Sequence, residues 1–145
     1  MIELILIPLA IGALTQILKL SIDGIPNNLN WQHLLTDYGG MPSSHTAFVA
    51  SLVTIVGIRE GINSAAFAVA LVFMLIVIRD AVGFRREIGK NAILTNALTK
   101  EVFKNKKTSP PLLKERIGHT VPEVIAGLLV GCSLTVVLYL ILIII

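Results

Sequence analysis

The sequence predicts an all-α integral membrane protein, a bundle of about four transmembrane helices with an additional interfacial amphipathic helix. Hydrophobic residues make up 54% of the 145 residues and charged residues only 14%, whereas soluble domains carry roughly 25% charged residues. Long apolar runs recur along the chain, and about 20 helical residues suffice to cross a bilayer. A membrane β-barrel is not predicted, because the strict alternation of its strands is missing. A chain of this length fits a single domain.

The predicted spans are residues 2–20, 43–58, 64–79 and 121–145, and a basic loop is predicted at residues 80–120. All but two of the 12 Lys and Arg residues lie between Arg79 and Arg116, the exceptions being Lys19 and Arg59. Under the positive-inside rule, this loop is cytoplasmic. Each span carries the chain to the other side of the membrane. The ends of spans one and three and the beginnings of spans two and four are therefore predicted on the inner face. The protein is predicted to be a multi-pass protein of the cytoplasmic membrane.

An amphipathic helix is predicted within the basic loop. Ile88, Leu94, Leu98 and Val102 are spaced to form one apolar stripe, and charged residues occupy the rest of the helix surface. This pattern is typical of a helix that lies on lipid headgroups. A helix packed on a partner subunit is the alternative.

The first candidate functional motif is GGMPSSHT at residues 39–46, where the second span begins. Ser43 or Ser44 is placed to cap the helix. The N–H groups at a helix N-terminus carry a partial positive charge and form an anion site suited to phosphate. The alternative is ordinary capping of a membrane helix, with His45 as an interfacial residue.

The second motif is GHTVPE at residues 118–123, at the start of the fourth span. Thr120 and Glu123 match the T-x-x-E capping box, so Glu123 has a purely structural interpretation. In the functional interpretation, Glu123 accepts a hydrogen bond from one ring nitrogen of His119 and leaves the other nitrogen as a nucleophile. The two roles do not exclude each other.

The third motif is a cluster of cations after the third span. If the helix continues, Arg86 and Lys90 lie on one face with Arg85 beside them. Ordinary positive-inside charge explains most of this cluster. Arg85, and then Arg86, are the preferred phosphate ligands. Asp80 either pairs with one of these cations or orients a catalytic group.

These motifs together resemble the divergent branch of the type 2 phosphatidic acid phosphatase superfamily, and the resemblance covers nearly the whole chain. The residues that carry it are GGMPSSH at 39–45, Asp80 with Gly83 and Arg85–Arg86, and GHTVPEV at 118–124. The superfamily uses a P-S-G-H motif for phosphate binding and acid catalysis, and an H-x-x-x-D motif for the nucleophile and its orienting carboxylate.

The resemblance implies metal-independent, cofactor-free hydrolysis of a lipid phosphomonoester or pyrophosphate. Ser43 and Ser44 would bind phosphate, and His45 would protonate the leaving alcohol. His119 would form a phosphohistidine, and Glu123 would orient it.

The chain departs from the mainstream pattern at several positions. Ser44 replaces a glycine, Glu123 replaces an aspartate, and Leu113 occupies the place of an arginine. Phosphoryl transfer depends on cations that neutralise the equatorial oxygens. The candidates for this role are Lys19, Arg85, Arg86, Lys114 and Arg116.

Two other functions are weighed against the phosphatase. The chain is alternatively a non-catalytic headgroup-binding or assembly protein that uses the same anion pocket. Gly127 and Gly131 form a G-x-x-x-G pair that suits either contact in a homo-oligomer or packing within the chain. A transporter is disfavoured, because no charge lies near a bilayer midplane and no inverted repeat is visible. The predicted partners are the membrane and a lipid phosphate, with no nucleic acid.

Overall fold

The computed structural model describes residues 1–22, 40–106, 108–115 and 117–144. The helices are α1 (Glu3–Ile22), α2 (Ser44–Glu60), α3 (Ala65–Arg79), α4 (Arg85–Val102) and α5 (Val121–Ile144), with a π-helical segment, Asp80–Phe84, between α3 and α4. The described residues contain no strand, so the all-α prediction is confirmed. The loop at residues 23–39 lies outside the described residues.

Local capping sets the boundaries of α2 and α3. The hydroxyl of Ser43 accepts a hydrogen bond from the N–H of Thr46 at 3.4 Å, and the hydroxyl of Ser64 accepts one from Phe67 at 3.1 Å. Gly61 follows α2 with φ of +86°, a conformation that favours glycine. A tight turn therefore returns the chain from α2 directly into α3.

Helix α2 lies at the centre of the bundle, where it packs against α1, α3 and α5. The core between α1 and α2 contains Ile7, Ile11, Ala47 and Ile55, which are all at most 2% exposed. The hydroxyl of Thr135 on α5 forms a hydrogen bond with the hydroxyl of Ser51 on α2 at 2.6 Å. Because hydroxyl pairs of this kind join helices where water is absent, the α2–α5 contact combines apolar packing with a buried polar link.

Gly127 and Gly131 form the closest part of the α2–α5 contact. A Cβ atom at Gly127 would lie 2.5 Å from the carbonyl oxygen of Ser43, and one at Gly131 would lie 2.8 Å from the Cα of Ala47. The G-x-x-x-G pair therefore serves packing within the chain.

Within the part of the chain that the structure describes, two helical stretches are long and apolar enough to cross a membrane, namely Ala65–Val102 with 38 residues and Val121–Ile144 with 24 residues. Large apolar side chains such as Leu9, Val69 and Leu129 are exposed on the outer faces of the bundle. An apolar outer surface fits a lipid environment. The crossing of the membrane by α1 and α2 stays a prediction.

Helix α4 is the amphipathic helix that was predicted within the basic loop. Ile88, Leu94, Leu98 and Val102 are all more than half exposed, so their stripe does not contribute to the core of the bundle. The opposite, buried side of α4 contains Gly89, Ala92 and Asn96. The location of the stripe on lipid headgroups stays a prediction.

We expect Gly131→Ala to lower the free energy of unfolding by about 1–3 kcal/mol, because the added methyl group overpacks the α2–α5 contact. Gly83→Ala is the matched control, since a Cβ atom there meets nothing within 4 Å, and alanine favours a helix by about 0.5–1 kcal/mol. Thermal unfolding in detergent, followed by circular dichroism, compares the two variants. Equal losses of stability would contradict the assigned contact.

Candidate active site

Two backbone hydrogen bonds join the ends of three helices. The N–H of Ser43, just before α2, donates to the carbonyl of Glu123 at 3.1 Å. The N–H of His119, just before α5, donates to the carbonyl of Ala81 at 3.0 Å. The beginnings of α2 and α5 therefore lie together with the end of α3, as predicted, whereas their location at the inner face of a membrane stays a prediction.

The π-helical segment prepares the acceptor for His119. The N–H of Arg85 bonds back five residues to the carbonyl of Asp80, whereas a regular α-helix would direct it to Ala81. The carbonyl of Ala81 thus remains available for the N–H of His119. Segments of this kind are frequent at functional sites.

Glu123 holds the imidazole of His119 and the helix start with the same oxygen. Its Oε2 atom lies 3.1 Å from Nδ1 of His119 and accepts the N–H of Thr120 at 3.0 Å. An ionised carboxylate can only accept, so the proton of the neutral imidazole belongs on Nδ1. The lone pair of Nε2 is then available for attack on an electrophile, which is the orientation that the sequence predicted.

The surroundings of His119 favour its neutral form. His119 is 7% exposed, and burial lowers the pKa of its imidazole below the ordinary 6.5. The contact with Glu123 opposes this shift, whereas the charges of Lys19 and His45 lower the pKa further. A neutral imidazole is the nucleophilic form. Lys19 and His45 therefore act on His119 through their charges.

A pocket of about 250 Å³ opens beside His119 and Glu123. Its walls come from α4, the start of α5 and the segment that precedes α5. The lining residues are Arg86, Gly89, Lys90, Ile93, Glu115, Ile117, Gly118, His119, Thr120 and Glu123. The pocket therefore combines the candidate nucleophile with two cations, which is a suitable composition for a phosphate ester.

The three residues of the first motif have different surroundings. Ser43 is 0% exposed, and its hydroxyl accepts a hydrogen bond from the hydroxyl of Thr46 at 2.9 Å. The structure thus assigns Ser43 to helix capping, the alternative left open by the sequence. Ser44 is half-buried and His45 is exposed at the start of α2, so these two have access to a ligand.

Asp80 and Arg85 form an ion pair across the π-helical segment. Nε of Arg85 lies 2.6 Å from Oδ2 of Asp80. Of the two roles considered for Asp80, the structure supports pairing with a cation. The pair uses one edge of the Arg85 guanidinium and fixes the side chain beside the π turn.

The remaining cations differ in their positions. Lys19 is 4% exposed in the last turn of α1, and Arg86 lines the pocket. Lys114 is exposed. Arg116, a further predicted ligand, lies outside the described residues.

Lys90 and Glu115 line the pocket but were not selected as site residues from the sequence. The spacing of Lys90 from Arg86 is one helical turn, a signal that was visible in the sequence. Nothing in the local sequence distinguishes Glu115. Across the described ranges, no three His, Cys, Asp or Glu side chains cluster closely enough to hold a metal ion.

Comparisons with known proteins find a family model and a bacterial relative that match most of the chain. The model of the Divergent PAP2 family matches residues 2–134. The "Uncharacterized membrane protein YuiD" of Bacillus subtilis (strain 168) is 39% identical over 135 residues, covering 85% of this chain and 85% of the relative. No solved structure matches the chain significantly.

We expect the imidazole of His119 to titrate below 6.5 and Glu123→Gln to lower this pKa further. The substitution removes the anion that stabilises the imidazolium. Glu87→Gln is the control, because Glu87 pairs with Lys90 instead, at 2.6 Å. ¹⁵N-histidine NMR titration measures the pKa values, with the His119 signal assigned from His119→Ala. An unchanged or higher pKa in Glu123→Gln would contradict the contact.

Proposed function

This chain belongs to the Divergent PAP2 family, and on that premise we propose that it is a membrane-embedded phosphatase. Its substrate is a lipid phosphomonoester or pyrophosphate, and its intermediate is a phosphohistidine on His119. The observation that carries the proposal is the 3.1 Å contact between Nδ1 of His119 and Glu123, which leaves Nε2 for attack, with Arg86 and Lys90 in the lining of the adjacent pocket.

In the first step, Nε2 of His119 attacks the phosphorus atom of the substrate. The N–P bond forms while the bond from phosphorus to the leaving oxygen breaks. His45 donates a proton to this oxygen, so that the lipid leaves as an alcohol, or as a phosphate when the substrate is a pyrophosphate. Glu123 stabilises the positive charge that develops on the imidazole of His119.

In the second step, water hydrolyses the phosphohistidine. His45, now neutral, accepts a proton from the attacking water, and the new P–O bond replaces the P–N bond. Inorganic phosphate leaves, His119 regains its lone pair, and His45 regains its proton. The cycle uses no redox partner and returns each residue to its starting state.

Positive charge around the pocket stabilises the transferred phosphoryl group. Arg86 lines the pocket, and Lys19 acts electrostatically on His119. Arg85, fixed by Asp80, is a further ligand, and Ser44 contributes from the exposed start of α2. Together they replace the arginines that the mainstream pattern has and this chain lacks. We place the site at the cytoplasmic face, because the basic residues gather there.

We expect purified protein to release inorganic phosphate from lipid phosphates, and His119→Ala to reduce kcat by at least about 10³-fold, since it removes the nucleophile. Arg86→Met should raise KM and lower kcat. Lys100→Met is the matched control, because it removes a cation from the exposed surface of the same helix without touching the pocket. Release of phosphate in detergent or vesicles measures all variants.

Equal rates in wild type and His119→Ala would reject the phosphatase. Phosphate binding without turnover in wild type, retained in His119→Ala and weakened by Arg86→Met, would identify a headgroup-binding protein instead. The two functions therefore give different results with the same set of variants.

We expect His45→Ala to slow the release of phosphate from lipid substrates more than from activated aryl phosphates. A poor leaving group needs a proton from His45, whereas a good leaving group departs unaided, and acid catalysis contributes about 10²–10⁴-fold. The measurement compares kcat for both substrate classes in wild type and His45→Ala. An equal loss for both classes would assign His45 to phosphate binding rather than to acid catalysis.

A further inference from the structure

The chain that precedes His119 is bound to α4 by one buried side chain. The amide of Asn96 forms a two-way pair with the backbone of Leu113: its Oδ1 accepts the N–H at 2.8 Å, and its Nδ2 donates to the carbonyl at 2.8 Å. The same Nδ2 atom donates to Oε1 of Glu115 at 2.8 Å. Asn96 is 2% exposed, whereas Leu113 and Glu115 are exposed, so the buried amide anchors a surface segment to α4.

Two glycines bring the rest of this return segment (residues 113–115, 117 and 118) against α4. A Cβ atom at Gly89 would lie 2.8 Å from the carbonyl oxygen of Ile117 and 2.9 Å from that of Glu115. Gly118 has φ of +89°, and a Cβ atom there would lie 2.5 Å from the backbone nitrogen of Arg86. The return segment therefore follows α4 at backbone contact from Asn96 back to Arg86.

This contact ends at the candidate nucleophile. Directly after Gly118, the N–H of His119 donates to Ala81, and its imidazole meets Glu123 at 3.1 Å. A slip of the return segment by one residue would move the chain by roughly 3.3 Å. Because His119 and Glu123 are four residues apart at the same helix start, such a shift would move them together. The register of the return segment therefore decides where this pair lies relative to Ala81 and the pocket.

We propose that Asn96 is a positioning residue, which sets the register of the return segment on α4 and thereby holds His119, together with Glu123, in its buried position beside the pocket. Asparagine suits this role because its amide presents a donor and an acceptor side by side, as the backbone of Leu113 requires. The inference deepens the proposed phosphatase and rests on it for its catalytic consequence. The structural part concerns the chain itself and is tested separately.

Two substitutions separate this role from general stabilisation. Asn96→Asp retains an acceptor for the N–H of Leu113 but loses both donated bonds and faces the carboxylate of Glu115. Asn96→Leu is similar in size and loses all of the bonds. Asn91→Asp and Asn91→Leu are matched controls, because Asn91 belongs to the same helix, is exposed and lines a groove with Leu113 and Ile117. They therefore test a change beside the return segment that leaves the hydrogen bonds of Asn96 in place.

We expect both Asn96 variants to lower kcat with little change in KM, because the pocket cations stay in place while the nucleophile is displaced. A displacement of about 1 Å can cost about 100-fold in rate, and Asn96→Leu should approach that loss. Independently of activity, the His119 pKa should rise towards its ordinary value as burial is lost, and the amide of Leu113 should exchange faster with solvent. NMR titration and hydrogen exchange measure these two changes.

The outcomes distinguish this inference from the proposed function. If wild type releases no phosphate, the phosphatase fails, while titration and exchange still judge the role of Asn96. If both readouts remain as in wild type in a folded Asn96 variant, or if the Asn91 controls change them equally, the inference is overturned. Should Asn96→Leu fail to fold, Asn96→Asp, which keeps one bond to Leu113, provides the test.

Discussion

The close contact between the backbones of α2 and α5 is the constraint on which the geometry of the site depends. Gly127 and Gly131 allow α5 to lie directly against Ser43 and Ala47 of α2. At this separation, the N–H of Ser43 reaches the carbonyl of Glu123. Because Glu123 also contacts His119, the distance between α2 and α5 influences the position of the His119 imidazole. The two glycines of the α2–α5 contact therefore help to set the geometry at the start of α5.

One carboxylate oxygen of Glu123 contacts both the start of α5 and the imidazole of His119. Oε2 of Glu123 accepts the N–H of Thr120 at 3.0 Å, as a capping box requires, and contacts Nδ1 of His119 at 3.1 Å. The N–H of Thr120 therefore holds the carboxylate of Glu123 in place. This carboxylate in turn determines which ring nitrogen of His119 carries the proton. The structural and functional interpretations of this motif describe the same atom.

Helix α4 has three sides with different surroundings. One side carries the exposed apolar stripe, whereas another side supplies Arg86 and Lys90 to the pocket. Its buried side, with Gly89 and Asn96, receives the return segment that leads to His119. The same helix therefore contributes charge to the pocket and holds the backbone that leads to His119, the candidate nucleophile. The basic loop between the third and fourth spans is accordingly a structured wall of the site.

Much of the fold was predictable because its signals are local. Apolar runs, the capping serines and the stripe from Ile88 to Val102 reflect contacts within one helix or its end, so α2, α3, α4 and α5 lie close to their predicted positions. The capping-box spacing of Thr120 and Glu123 likewise located the start of α5. Charge asymmetry and the count of spans predicted that the motifs share one face, and the backbone bonds to Glu123 and Ala81 agree.

By itself, then, the sequence determined an apolar helical bundle with its polar motifs gathered at one end, since hydrophobicity, capping and helical spacing act over a few neighbouring residues. Only the tertiary structure decided that the hydroxyl of Ser43 turns inward, that a π turn frees the carbonyl of Ala81, and that Asn96 binds Leu113. These features arise from contacts between distant parts of the chain. Such contacts form only when helices and loops have packed, so no local pattern of residues encodes them legibly.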